Sequence, residues 1–77
     1  MIFDRVEWDE HNEDHATKRC TQREIEQAIW NAEQAQPHRE HASRVIIRSH
    51  TDGGKAIIVI AELTRDGGIR PITAWEA

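Results

Sequence analysis

The hydrophobic pattern changes period along the chain. Val6 and Trp8 alternate with Arg5 and Glu7, which predicts a half-buried strand over Ile2 to Trp8. Asp9 is then placed to cap a helix running to about Lys18. Asn12, His15, Ala16 and Arg19 share one stripe of that helix, and so few of them are apolar that its burial should be shallow. Thr21 and Glu24 form a capping box before Ile25, Ala28, Ile29 and Ala32, which recur at helical spacing. Gln34 to Ala42 contains Pro37 and little periodicity, so it reads as a loop.

The second half reads as strands and turns. Ser43 to His50 is a strand centred on Val45, Ile46 and Ile47. Asp52-Gly53-Gly54 supplies the positive φ that a tight turn needs. Lys55 to Leu63 carries the continuous apolar run Ala56 to Ile60, which predicts a central strand covered on both faces. Asp66-Gly67-Gly68 makes a second turn before a last strand from Ile69 to Trp75. Pro71 lacks an amide hydrogen, so it belongs at an edge or a bulge of that strand. The expected order is β-α-α-β-β-β, an α+β domain whose last three strands form an antiparallel meander with both helices on one face.

A chain of 77 residues is one domain. At this size roughly 60% of the unfolded surface is buried on folding. The single cysteine, Cys20, cannot form an internal disulfide and fits a reducing cytoplasm. Homo-oligomerisation or a bound partner is therefore a physical expectation. No apolar run is long enough for a membrane span, and no signal peptide opens the chain.

The net charge is −4, but it is uneven. Residues 1–42 hold 5 basic and 10 acidic residues, a net of −5; residues 43–77 hold 5 basic and 4 acidic, a net of +1. A dedicated nucleic-acid binder is usually basic, so contact with RNA, where it occurs, is expected mainly through the second half. Arg44, Arg48, Lys55 and Arg70 are the basic residues able to converge there. Arg44, Arg48 and His50 share one strand face by alternation. Paired guanidinium groups grip phosphate, and a histidine beside them is held neutral, as a general base requires. The plainer reading of the same residues is a solvated sheet face. His11 and His15 lie four apart on a helix, but no third ligand has metal-binding spacing, so no metal or cofactor is expected. Trp8, Trp30 and Trp75 read as core or interface residues.

Several segments resemble the BrnT family, small RelE-like ribonuclease toxins encoded beside an antitoxin. They are the opening Val6-Glu7-Trp8-Asp9-Glu10-His11-Asn12, the tripeptide Lys18-Arg19-Cys20 before the capped helix, Arg44 opening a strand, the Asp52-Gly53-Gly54 turn, and the ending Arg70-Pro71-Ile72-Thr73-Ala74-Trp75-Glu76-Ala77. The resemblance implies a RelE-like fold, an RNA substrate and a cognate antitoxin as partner. Carried over by position, Arg44 and Arg70 are phosphate clamps, and Lys18 and Arg19 fall on the family's lysine-histidine pair. His50 falls where an arginine is common and is the candidate base. The chain departs from the family where Arg19-Cys20 replaces histidine-glycine. The alternative is a non-catalytic protein-binding module of the same fold.

Overall fold

The structure, a computed structural model, describes residues 3–77. It is α+β: β1 (Arg5–Val6), α1 (Glu10–Ala16), α2 (Gln22–Asn31), β2 (Gln36–Pro37), β3 (Arg44–His50), β4 (Ala56–Leu63) and β5 (Gly68–Glu76). The strands form one sheet in the order β1-β5-β4-β3-β2. The antiparallel meander β3-β4-β5 lies at its centre, with the expected turns between its strands. Gly54 and Gly67 both sit at φ +91°, a conformation that side chains resist.

Several expectations need correction. The sheet is mixed, because β1 pairs parallel to β5 through Arg5 with Gly68 and Val6 with Ile69. That pairing joins the two ends of the chain and leaves no local pattern. β1 is also shorter than expected (Ile2 lies outside the described residues). The segment Gln34 to Ala42 is not wholly loop, since Gln36 and Pro37 pair antiparallel with Ile46 and Val45. Pro37 is tolerated because β2 is an edge strand. Helix α1 ends at Ala16 rather than near Lys18. The Thr17 hydroxyl donates to the carbonyl of Glu13 at 2.5 Å, and such a bond competes with helix continuation.

Helix α2 is amphipathic and lies over β3 and β4, while α1 lies along β5. Its capping box forms as the sequence implies: Thr21 Oγ1 accepts from the Glu24 amide at 3.1 Å, and Glu24 Oε1 accepts from the Thr21 amide at 2.9 Å. Ile25, Ala28 and Ile29 of α2 and Ala16 of α1 meet Val45, Ile47, Ile57, Val59, Ala61, Ile69 and Ala74 of the sheet in one buried cluster. Cys20 is buried in the same cluster, and burial pushes its thiol pKa up.

β4 is covered on one face only. Ile57, Val59 and Ala61 are buried beneath the helices, whereas Ile58 and Ile60 are half-buried on the opposite face. In β5, Ala61 pairs with Pro71 but Ile60 pairs with Thr73, which leaves Ile72 as the extra residue of a β-bulge. Pro71 thus stands at a bulge, where its missing amide hydrogen does least harm.

One-sided burial has a measurable consequence. Ile57→Ala is expected to lower the unfolding free energy by about 2–5 kcal/mol. Ile58→Thr is expected to lower it by about 1 kcal/mol or less, because threonine suits an open strand face. Urea denaturation of both variants checks this, and equal losses would mean that both faces are covered.

Candidate functional site

The site begins where α1 meets the outer edge of β5. Asp9 caps α1, its Oδ1 accepting from the amides of His11 at 2.9 Å and Asn12 at 3.1 Å. Asn12 returns the bond, its Oδ1 accepting from the Asp9 amide at 2.7 Å. The Asn12 amide nitrogen donates to the carbonyls of Glu7 at 3.0 Å and Pro71 at 3.1 Å. Asn12 is 3% exposed, so its end of this network is sealed from water. It clips the helix to the strand edge just beyond the point where β1 ends.

The other Asp9 oxygen, Oδ2, takes a hydrogen bond from Arg70 at 2.5 Å. The Arg70 guanidinium, helped by the Asn12 amide, holds the Asp9 carboxyl at about 2, well below its ordinary 3.8. The same bond raises the Arg70 pKa. Arg70 belongs to a row across the open face of the sheet, with Glu62 opposite it on β4 and Arg44 opposite Glu62 on β3. The Arg44 Nε lies 3.8 Å from a Glu62 carboxylate oxygen. That is an ion pair without a hydrogen bond, and the Nε is a buried donor with no partner among the described residues.

His11 and His15 project from α1 on the stripe beside the buried Asn12 and Ala16. Their ring centroids lie 4.8 Å apart, edge to face. A cavity of about 180 Å³ separates them from Arg44, Glu62 and Arg70. A second cavity, of about 310 Å³, is lined by His15, Lys18, Arg19 and the Ile72–Ala74 segment. The two cavities share His15 and Ile72. His15 therefore stands between the arginine pair on the sheet and the Lys18-Arg19 pair at the end of α1.

Of the residues singled out from sequence, Arg44, Arg70, Lys18 and Arg19 are gathered around His15. His50 is not among them. It shares a face with Arg44 as alternation requires, but six residues along β3 place it about 20 Å away. There it lines a different cavity with Asn31, Glu33, Gln34, Arg48 and Ser49. Lys55 is also elsewhere, on the helix side, bonded to Glu24 Oε2 at 2.8 Å. The residue that sequence reasoning passed over is His15. Its four-residue spacing from His11 raised only a metal question. The usable signal was that the Asn12–Ala16 stripe is the buried one, which leaves the His11–His15 stripe at its margin.

Compared with known proteins, the chain matches no family model, no curated protein and no solved structure. Among the described residues no three His, Cys, Asp or Glu side chains gather to hold a metal ion. Among them, too, no helix is long and apolar enough to cross a membrane.

The Asn12 network sets two expectations. Asn12→Ala takes this donor from the buried Pro71 carbonyl and the half-buried Glu7 carbonyl, so it should lower the unfolding free energy by about 1–3 kcal/mol in urea denaturation. The lowered Asp9 pKa favours the folded state above its ordinary 3.8, and that contribution drains away as pH falls towards about 2. Asp9→Asn keeps a good helix cap but loses the charge. Melting curves across that window should therefore fall less steeply for the variant than for the parent. Asp66 and Glu24, whose pKa values Arg5 and Lys55 lower in the same way, carry the acid sensitivity that remains.

Proposed function

We propose that the chain is a metal-independent endoribonuclease of the RelE-like toxin type, neutralised by a cognate antitoxin in the cytoplasm. The observation that carries this reading is the ring of Lys18, Arg19, Arg44 and Arg70 around one exposed histidine, with a buried Arg44 donor left unpartnered. The α+β fold and the resemblance of its motifs to BrnT toxins agree with it.

In the reaction, His15 takes the proton of an RNA 2′-hydroxyl, and the 2′ oxygen attacks the adjacent phosphorus. A cyclic phosphate forms as the bond to the 5′ oxygen breaks. Arg44 and Arg70 bind the phosphate oxygens on which charge builds, and Lys18 and Arg19 bind the flanking phosphate. His11, whose ring lies against that of His15, supplies the proton to the departing 5′ oxygen. This assignment moves the base from His50 to His15, because His15 lines both the cavity of Arg44 and Arg70 and that of Lys18 and Arg19.

A second reading, a non-catalytic binding module, is favoured by the ion pairs. Asp9 engages Arg70 and Glu62 faces Arg44, so a substrate must compete with two internal carboxylates. The net charge of −4 points the same way.

Incubation of the purified chain with total RNA in EDTA separates the two. Cleavage by the parent is expected to fall by about 100-fold or more in His15→Ala and in Arg44→Ala, and to be unchanged in His50→Ala. No cleavage by a folded parent would leave the binding module. Loss in His50→Ala with full activity in His15→Ala would move the site to the other end of β3.

A further inference from the structure

The sheet face turned away from the helices is crossed by three rows of side chains. Arg44, Glu62 and Arg70 form the first row; Ile46, Ile60 and Thr73 form the second; Arg48, Ile58 and Trp75 form the third. The apolar members Ile46, Ile58, Ile60 and Trp75 are all half-buried, yet the helices bury their own apolar residues on the other side. The face is also concave. His38 to Glu40 rise beside Ile46 and Arg48 around a space of about 440 Å³. On the β5 side, His11 and His15 form the opposite wall.

Charge is segregated along this trough. Arg44, Arg48 and Arg70 against Glu62 give the three strands a net of +2 on this face, in a chain whose net is −4, so the remaining residues carry −6. The positive groups stand at the two ends of an aliphatic floor. Arg48 lies four residue steps along β3 from Arg44, about 13 Å.

We propose that this trough docks a polypeptide segment in which aliphatic residues are flanked by carboxylates. Aliphatic side chains fill the floor between Ile46, Ile58 and Ile60, and carboxylates meet the arginines at either end. Tryptophan and arginine beside a dry apolar centre are the residues that dominate binding at protein interfaces. Single-stranded RNA fits the floor less well, because it is held by stacked aromatic rings and this face offers one aromatic among isoleucines. A second copy docked face to face through the same trough would bring like charges together. The proposal stands whether or not the His15 cluster cleaves RNA.

The test uses the whole purified chain as bait for a library of displayed random linear peptides. Enriched peptides are then titrated into the chain and followed by NMR. They are expected to combine aliphatic and acidic residues and to shift the amides of Ile46, Ile58, Ile60 and Trp75. Ile58→Lys and Arg48→Glu should each weaken binding about tenfold or more, the effect of losing a central interface contact. Melting curves of the variants confirm that they fold. Their RNA cleavage in EDTA should match the parent, because neither residue lines the His15 cavities, and this keeps failure of one reading distinct from failure of the other. The proposal is overturned if no peptide is enriched, if enriched peptides are basic, or if neither variant weakens binding. It is also overturned if a single-stranded RNA oligonucleotide, added without peptide, shifts the amides of Ile58 and Trp75 at the Arg48 end, or if raising the protein concentration alone shifts them.

Discussion

One buried side-chain amide organises this molecule. Asn12 caps its own helix through its oxygen and uses both hydrogens of its nitrogen to hold the carbonyls of Glu7 and Pro71. A sheet edge normally exposes a row of unpaired backbone groups that must be covered. Here β1 covers the first two residues of β5, and α1 takes over from there. Every later feature of the site follows from that junction. It sets where α1 begins, which stripe of α1 is buried, and how the Asp9 cap reaches Arg70. A helix attached only by its apolar surface would be poorly held, since Ala16 is its one buried apolar residue. The polar clip is what gives so short a helix a defined position.

Asp9 extends the same junction into electrostatics. Its two oxygens do different work, one closing the helix start and the other meeting the guanidinium on β5. Charge at the site is therefore coupled to local structure. An anion that draws Arg70 away leaves a carboxylate facing the N-terminal end of α1, where the helix amides still stabilise it. Arg44 has no such tie, because its nearest carboxylate lies outside hydrogen-bond range. The two arginines thus differ in availability although they occupy equivalent places on either side of Glu62.

Elements governed by neighbours in sequence were legible from the chain. Asp9 and Thr21 marked both helix starts, Asp52-Gly53-Gly54 and Asp66-Gly67-Gly68 marked both hairpin turns, and the meander followed. Elements governed by distant partners were not. The parallel β1–β5 pair and the two-residue β2 exist only because other strands are already in place. The same division holds for the site. Arg44 and Arg70 fall in one row, on either side of Glu62, because a meander lines up the ends of its three strands. Alternation assigned His50 to the correct face but carries no information about distance along the strand. His15 became visible only once α1 was seen to lie along β5, since its neighbours in the site come from a sheet more than twenty residues further on.

The bulge at Ile72 also bears on how the molecule can vary. Straight alternation in β5 would set Arg70, Ile72, Ala74 and Glu76 on one face and would turn Trp75 inward. The extra residue inverts the alternation partway, so that the small Ala74 sits under the helices and Trp75 shares a face with Arg70. Both ends of that face are thereby drawn from a single strand. Point substitutions can tune either end independently. Loss of Ile72 would leave both side chains where they are, since Pro71, Thr73, Ala74 and Trp75 would then alternate regularly against Ala61, Ile60, Val59 and Ile58. One further residue inserted before Ala74 would instead exchange the bulky and the small side chain across the sheet. Insertions in this strand are therefore more consequential than shortening at the bulge, and added length should accumulate in the loop after β2 instead.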